Sequence, residues 1–313
     1  MSNLEHHPIT YLDIPAEKAG QRVDNFLHTY LKGVPKSHVY RILRTGQVRV
    51  NKKRIKPTYR LTAGDRLRVP PVQCRPLTVP ILNTNRKKAL VSSVLHEDNF
   101  LLILNKPAGM AVHGGSNINA GAIESLRVLY PNAPYLELVH RLDRDTSGCL
   151  MIAKKRSMLR RLHNLLRNGG IYKQYLTLVQ GRWDPHKTEV RVPLRKNVLQ
   201  SGERIVRVCS DGKKAITQFH IIQQFANTSL LQVQLKTGRT HQIRVHTAHE
   251  GHPIAGDNKY GDRNFNQQMR QLALKNLFLH AEKLVINLPE IDYHLTINAP
   301  LPKNLQQVLK NLS

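Results

Sequence analysis

The nine residues from His140 to Gly148, H-R-L-D-R-D-T-S-G, place an imidazole, two guanidinium groups, two carboxylates and two hydroxyls almost side by side. The residues that follow, Cys149 to Ala153, are apolar and predict a buried strand. A second apolar run, Phe100 to Leu104, is ended by N-K-P and predicts another strand. Reactive side chains on a loop held by rigid strands are a common active-site arrangement, so this loop is the candidate site.

The chemistry of the loop permits more than one function. Asp143 and Asp145 can each act as a nucleophile or general base, and residue chemistry alone does not choose between them. Ser147 with His140 and an Asp suggests a hydrolase triad, but the G-x-S-x-G context of that triad is missing. The remaining alternative is an ion-paired turn with no catalytic role.

Composition narrows the class of protein. The chain has 313 residues with 40% hydrophobic side chains, enough for two domains with their own cores. Its formal net charge of +27 favours a polyanionic partner, and nucleic acid is the first candidate. There is no run of about 18 apolar residues and no secretory pattern at residues 1–14, so we expect no membrane partner. The three cysteines are widely spaced and predict no disulfide framework, which favours a cytoplasmic location.

Positive charge is concentrated towards the N-terminus. Residues 1–88 hold 18 Lys and Arg against 5 Asp and Glu, whereas residues 89–313 hold 30 against 16. Repeated prolines between residues 70 and 80 disfavour a helix and predict an extended linker. The sequence therefore predicts four segments, which are an N-terminal extension (1–19), a small basic domain (20–70), a linker (71–88) and a larger domain (89–313).

The small domain is predicted to contain helices and strands. Apolar residues recur at helical spacing in 22–31 and in a second helix that Ser37 caps and Gly46 ends. Alternating residues at 48–50 and 66–69 predict strands. We expect the basic side chains on this frame to bind RNA phosphates rather than to form a merely solvated face: Lys36, Arg41, Arg44, Arg49, Lys52 and Lys53.

Four short words make this small domain resemble the S4 RNA-binding domain. They are R-V-D-N-F-L, P-K-S, G-Q-V-R-V-N and G-D-R-L, and they lie in this order between residues 22 and 67. The resemblance covers about residues 20–70 and implies that the segment binds RNA.

The larger domain resembles the RluA family of pseudouridine synthases. The family pattern H-R-L-D-x-x-T-S-G is met at every fixed position from His140 to Gly148. The word N-K-P-A-G at 105–109 matches an early family word, and K-Q-Y at 173–175 lies on the predicted strand where the family has its active-site tyrosine. The word K-T-G-R-T-H-Q-I-R-V-H at 236–246, followed by G-H-P-I and G-D, matches the late family motif.

This second resemblance spans roughly residues 90–300 and implies a fold and a reaction. The implied fold is α+β, with a mixed, largely antiparallel sheet and a basic central cleft behind the small α+β S4-like domain. The implied reaction isomerises specific uridines to pseudouridine in RNA, with large-subunit (23S) ribosomal RNA as the expected substrate. The base leaves its N-glycosidic bond, turns and is rejoined through carbon, and the family requires neither metal nor cofactor.

The resemblance also assigns roles to individual residues. Asp143 is the catalytic carboxylate, and Arg244 is expected to form a bidentate pair with it, which keeps it ionised and fixes its direction. Tyr175 is expected to lie against the target base. Arg141 is expected to fill the space left by the flipped nucleotide and to contact phosphate, with His140 beside it in the substrate-binding part of the loop.

Two other classes of function remain to be weighed. A non-catalytic RNA-binding ribosome-assembly factor could retain this fold, but the intact Asp143, Tyr175 and Arg244 argue against it. A metal-dependent nuclease would need a ligand cluster, and four histidines have a spacing that fits neither a zinc finger nor H-E-x-x-H: His241, His246, His249 and His252. We therefore expect no metal and no small-molecule cofactor, RNA as the partner and a monomeric protein.

Overall fold

The computed structural model describes residues 5–31, 33–74, 83–114, 120–198 and 204–312. The chain divides into two compact units, an N-terminal unit over Met1–Val79 and a C-terminal unit over Pro80–Ser313. The predicted linker, 71–88, contains the end of one unit and the start of the other, and its residues 75–82 lie outside the described part.

The N-terminal unit packs two helices against a four-stranded antiparallel sheet of order β2-β5-β3-β4. The first helix buries Val23 and Leu27, and the second buries Val39, Ile42 and Leu43. All five lie in one hydrophobic cluster, as their helical spacing predicts. In chain order its elements are β1 (Glu5–His7), β2 (Thr10–Asp13), a 3-10 turn (Ala16–Lys18), α1 (Val23–Tyr30), α2 (Lys36–Arg44), β3 (Arg49–Val50), β4 (Lys53–Arg54), β5 (Arg66–Val69) and β6 (Val72–Cys74).

Both flanks of the predicted small domain contribute strands. Strand β2, within the predicted extension, pairs with β5, and β1 pairs with β6, which lies in the predicted linker. Helix α2 begins at Lys36 with Pro35 at the N-cap, two residues before the position that a Ser37 cap would give. Gly46 ends the helix as predicted, because its φ of +70° is a left-handed conformation that glycine adopts without strain.

The C-terminal unit is built on a ten-stranded sheet. Eight strands follow the order β12-β15-β16-β11-β17-β10-β8-β7, with β18 beside β17 and β9 beside β10. Its elements are α3 (Thr84–Val91), β7 (Val94–Glu97), β8 (Leu101–Lys106), α4 (Ala122–Leu129), β9 (Glu137–Leu138), β10 (Ser147–Ala153), α5 (Arg156–Arg167), β11 (Tyr172–Gln180), β12 (Glu189–Val190), β13 (Leu194–Val198), β14 (Arg204–Val208), β15 (Thr217–Gln224), β16 (Thr228–Leu235), α6 (Gln242–His249), α7 (Arg263–Gln271), β17 (Leu279–Leu288), a 3-10 turn (Pro289–Ile291), β18 (Tyr293–Asn298) and α8 (Lys303–Leu312).

This sheet is mixed and largely antiparallel, as the family resemblance implies. Strands β10 and β17 run parallel, and the other neighbouring strands among the described residues run antiparallel. A separate antiparallel hairpin is formed by β13 and β14. In the described part of the chain, no helix is both long and apolar enough to cross a bilayer.

The central strands β8 and β10 are buried on both faces. Leu102, Leu104, Leu150 and Ile152 face one hydrophobic cluster, which α4 covers, while the alternate residues of both strands face a second cluster, which α5 covers. A strand covered on both faces reads as a continuous apolar run, which explains why both strands were evident from sequence. The rigid centre of the sheet therefore leads directly into the loop that carries Asp143.

Gly148 is the second residue of β10, where the strand follows the Asp143 loop. It pairs with Lys106 on β8 and with Ala281 on β17, and its φ is +105°. A Cβ at this position would overlap the backbone carbonyl of Ala281. Both the backbone conformation and the close approach of β17 therefore require glycine.

We expect Gly148→Ala to lower the free energy of unfolding by about 3 kcal/mol or more, because strain and overlap with backbone act together. Gly109→Ala is the matched control, since Gly109 also has a positive φ, of +84°, but its Cβ would meet no atom within 4 Å. It should cost about 1 kcal/mol. Urea unfolding of both variants measures the difference, and equal losses would show that the β17 contact is unimportant.

Candidate active site

The loop carrying Asp143 is fixed at its C-terminal end by buried polar contacts. The backbone N–H of Thr146 donates to the carbonyl oxygen of Asp143 (3.2 Å), which closes a turn. The Ser147 hydroxyl lies 2.8 Å from Nδ1 of His280, and Nε2 of His280 lies 3.1 Å from the carbonyl oxygen of Ala299. Since the carbonyl can only accept, Nε2 carries the ring proton and Ser147 donates to Nδ1. Ser147 therefore anchors the loop and is not part of a hydrolase triad.

A buried lysine fixes the same loop from the other side. The ammonium group of Lys106 is fully buried and donates to the carbonyl oxygens of Pro107 (3.0 Å), Met110 (2.9 Å) and Arg144 (2.9 Å). These three bonds use all three of its N–H donors. Burial lowers the pKa of Lys106 to about 8, and the charges of Asp145 and Asp143 act in the opposite direction. Lys106 thus joins the N-K-P-A-G segment to the Asp143 loop.

Two basic side chains face the same oxygen of Asp143. Nη1 of Arg244 lies 3.5 Å from Oδ2 of Asp143, and Nε2 of His241 lies 3.7 Å from it. The Asp143 side chain is 18% exposed, so the carboxylate remains partly accessible to solvent beside these two groups. Helix α6, which starts beside His241, positions both.

The predicted bidentate pair between Arg244 and Asp143 is wrong. The forked edge of Arg244 is occupied by Asp257, with Nε 2.7 Å from Oδ2 and Nη2 2.8 Å from Oδ1. Asp257 is 1% exposed, and a buried carboxylate requires such a partner. Only Nη1 of Arg244 remains to face Asp143.

The Arg244–Asp257 pair is well satisfied by its surroundings. The backbone N–H groups of Lys259 (2.9 Å) and Tyr260 (3.0 Å) also donate to Oδ1 of Asp257. Burial opposes ionisation of Asp257, but the hydrogen bonds and charge of Arg244 outweigh it and lower its pKa. Burial likewise disfavours the charged Arg244, and Asp257 and Asp143 together raise its pKa. Both groups are therefore charged at neutral pH.

Tyr260 supports both residues behind Asp143. Its ring lies under Arg244, with the guanidinium carbon 5.0 Å from the ring centre. Its hydroxyl accepts the backbone N–H of Val206 (2.9 Å) and lies 2.7 Å from Nδ1 of His241. The hydroxyl can therefore donate its own proton to Nδ1, which leaves the His241 proton on Nε2, facing Asp143. His241 itself has a left-handed backbone, with φ of +53°, a strained conformation for a histidine.

Tyr175 lies on β11 near Asp143. It is 7% exposed and pairs regularly with Val233 on β16, while the register with β17 shifts between Gln174 and Leu176. Such irregularities redirect side chains next to functional sites. Burial, followed by the negative charge of Asp143, raises the pKa of Tyr175, so its hydroxyl keeps its proton at neutral pH.

His140 and Arg141 are adjacent in sequence but differ in environment. Nε2 of His140 accepts the backbone N–H of Met151 on β10 (3.1 Å), and burial lowers its pKa to about 3, so the ring is neutral. Arg141 is exposed. Of the two aspartates that sequence chemistry left open, Asp143 faces Arg244 and His241, whereas Asp145 is exposed.

Three of the four histidines considered as metal ligands have separate partners. His241 contacts Tyr260, His246 contacts the carbonyl oxygen of Val192 (3.2 Å), and His252 contacts that of Gln180 (2.8 Å). Across the described ranges, no three His, Cys, Asp or Glu side chains gather as metal ligands would. The roles of Lys106, Asp257 and Tyr260 were not predicted, although the first two belong to motif words quoted from the sequence.

Comparison with protein families agrees with this fold. Residues 100–249 match the RNA pseudouridylate synthase family, and residues 21–67 match the S4 domain. A solved structure, human RNA pseudouridylate synthase domain containing 4, superimposes with a TM-score of 0.57 at 27% identity, covering 72% of this chain and 95% of that one.

Curated relatives extend the match to nearly the whole chain. Ribosomal large subunit pseudouridine synthase C of Salmonella typhi is 54% identical over 303 residues, covering 96% of this chain and 95% of that protein. The protein of the same name from Escherichia coli (strain K12) is 53% identical with the same coverage. The chain belongs to the RNA pseudouridylate synthase family.

We expect Asp257→Asn to lower the free energy of unfolding by about 3 kcal/mol at neutral pH, because it leaves Arg244 buried without its partner. Asp211→Asn is the control, since it breaks the Asp211–Arg195 pair, whose side chains are 63% and 48% exposed, and it should change stability little. Urea unfolding measures both.

The pH dependence of this loss has a defined sign. The pKa of Asp257 is lowered on folding, so its contribution is present above the ordinary carboxyl pKa of about 3.9 and is lost as pH falls through the lower folded value. The difference between wild type and Asp257→Asn should therefore shrink in acid. A difference that grows as pH falls would contradict the assigned ion pair.

Proposed function

We propose that this protein converts uridines to pseudouridine in large-subunit ribosomal RNA, with Asp143 as the catalytic carboxylate. The family membership supports the reaction, and the names of the relatives at 53–54% identity support the substrate. The observation that carries the assignment is the convergence of Arg244 and His241 on one oxygen of a carboxylate that is itself partly exposed.

In the proposed reaction, Asp143 attacks the target nucleotide and the N-glycosidic bond breaks. The detached uracil turns, and its C5 forms the new bond to the ribose. The bond that Asp143 formed breaks again, the C5 proton is released, and N1, freed from the ribose, takes up a proton, so that product and substrate have the same composition. Arg244 and His241 approach only Oδ2, which makes Oδ1 the oxygen proposed for attack.

The surroundings of Asp143 favour the ionised form that this reaction needs. When RNA covers Asp143, water is displaced and the carboxylate loses solvation, which disfavours its charge. The cationic Arg244 at 3.5 Å offsets this loss, because an opposite charge acts strongly in a dry site. His241 adds an N–H directed at the same oxygen.

Tyr175 and Arg141 are proposed to handle the flipped nucleotide. The Tyr175 ring offers a stacking surface for the uracil, and its hydroxyl, protonated because its pKa is raised, acts as a hydrogen-bond donor near the reacting atoms. Arg141 is exposed two residues before Asp143, where it can enter the space that the nucleotide leaves and contact phosphate. His140 supports the start of this loop by holding β10.

The N-terminal unit is proposed to bind RNA through exposed basic groups. Six side chains predicted from the sequence are exposed on α2, on β3 and β4, and on the turn between these strands: Lys36, Arg41, Arg44, Arg49, Lys52 and Lys53. The S4 match over residues 21–67 supports this role. We further propose that the protein acts in the cytoplasm as a monomer without a cofactor.

We expect Asp143→Asn to reduce the single-turnover rate by at least about a thousandfold, because the amide keeps the shape but is not a nucleophile. RNA affinity should change little. Tritium release from RNA labelled at C5 of uracil measures the reaction. Asp145→Asn is the matched control in the same loop and should keep most activity.

The same assay separates the proposed enzyme from a non-catalytic ribosome-assembly factor. Tritium release by the wild type that Asp143→Asn abolishes supports the enzyme. Binding of ribosomal RNA without any tritium release by the wild type would favour the assembly factor. Near-normal turnover by Asp143→Asn, or loss only in Asp145→Asn, would refute Asp143 as the catalytic residue.

A further inference from the structure

The outer face of the sheet in the N-terminal unit carries a row of directly opposed cationic residues. Tyr11 on β2 pairs in register with Arg68 on β5, Arg68 pairs with Arg49 on β3, and Arg49 pairs with Arg54 on β4. The neighbours of Arg68 and Arg49 along their strands, such as Leu67 and Val50, are buried in the core, whereas both residues of β4 are exposed. Alternation on β5 and β3, together with the register that pairs them with β2 and β4, therefore places one aromatic and three guanidinium side chains on the outer side of four adjacent strands.

This row is unfavourable in the free protein. Like charges directly opposite each other on neighbouring strands destabilise a sheet. Among the residues that the structure describes, no carboxylate lies within ion-pair distance of Arg49, Arg54 or Arg68. An external anion bound along this row would offset the repulsion between the three arginines.

The three guanidinium groups all contact the short segment that follows α2, residues 45–47. Nη1 of Arg68 donates to the carbonyl oxygen of Gln47 (2.6 Å), Nε of Arg49 to that of Gly46 (3.3 Å), and Nη2 of Arg54 to that of Thr45 (3.0 Å). Each contact fixes a side chain through a single donor atom of a group that has five N–H donors. The arginines are therefore held in place with most of their donors still available.

An open cavity of about 1050 Å³ lies over this face, and its lining includes Tyr11, Arg49, Lys52, Arg66 and Arg68. The Tyr11 side chain is 55% exposed, and the guanidinium of Arg66 lies 5.3 Å from its ring centre. An exposed aromatic ring beside fixed arginines combines a surface for a base with donors for phosphates. An acidic protein surface would use the arginines but would not need the ring.

We propose that this outer sheet face binds a single-stranded stretch of RNA, with one base stacked on Tyr11 and successive phosphates along the arginine row. The proposal rests on the proposed RNA substrate and specifies where the N-terminal unit holds it. Tyr11 lies outside the S4 match over residues 21–67, so the strand β2 before that match completes the site. Forked guanidinium groups suit phosphate, and stacking accepts any base, so the site tracks RNA without reading its sequence.

Full-length variants matched in charge test this site. Arg49→Gln with Arg68→Gln removes two charges from the row, and Arg41→Gln with Arg44→Gln removes two from α2. Tyr11→Ala removes the ring, and Tyr11→Phe keeps it. The probe is a large-subunit ribosomal RNA transcript, and the measurements are Kd as a function of salt and the single-turnover rate at saturating enzyme, with thermal unfolding to confirm that each variant folds.

We expect the sheet-face double variant to raise Kd by tenfold or more and to reduce the slope of log Kd against log salt by about 1.5, as two lost phosphate contacts require. The α2 double variant should lose less. Tyr11→Ala should raise Kd about tenfold, and Tyr11→Phe should match the wild type. The single-turnover rate of the wild type should show tritium release, which tests the chemistry of the other unit separately from binding to this face.

Each result that would contradict the expectation has its own interpretation. Equal losses in the two double variants would show diffuse charge attraction and overturn the site. A normal Kd for Tyr11→Ala with a loss in the arginine variant would show an anion surface without a base, which overturns the single-strand assignment. Absence of tritium release in the wild type would overturn the proposed function instead, so the two failures are separable.

Discussion

The buried ion pair between Arg244 and Asp257 is the constraint on which the active site depends. A buried guanidinium needs a partner that occupies its forked edge, and Asp257 supplies it at 2.7 and 2.8 Å. The remaining Nη1 faces Asp143 at 3.5 Å, longer than a strong hydrogen bond. Because Asp257 takes the forked edge, Arg244 places its charge near Asp143 without binding both carboxylate oxygens. One oxygen of Asp143 therefore stays available for nucleophilic attack.

Hydrogen bonds made by buried polar groups also hold the loop that carries Asp143. Lys106 joins two segments by donating to three carbonyl oxygens, and Ser147 and His280 tie the loop to β17. Behind the carboxylate, the Tyr260 hydroxyl links Val206 to His241. The loop thus meets the catalytic requirement of a fixed direction through polar contacts to the rigid sheet rather than through its own packing.

Sequence reasoning succeeded where local pattern determines structure. The apolar runs revealed β8 and β10 because both are buried on each face, and the order of motif words indicated the family. It failed for the partner of Arg244, because Asp143 and Asp257 compete for one guanidinium and only their positions in three dimensions decide between them. The role of Tyr11 was also missed, because it comes from the register of β2 with β5 and not from a local pattern.

The most direct test of this account is the single-turnover rate of Arg244→Gln and Arg244→Lys, measured from acid to alkaline pH at saturating enzyme. Gln can still donate to Asp257 but carries no charge, whereas Lys keeps the charge without the forked geometry. The account predicts a loss of about a hundredfold for Gln at neutral pH and a smaller loss for Lys. Unchanged single-turnover rates in Arg244→Gln, with weaker RNA binding alone, would contradict it.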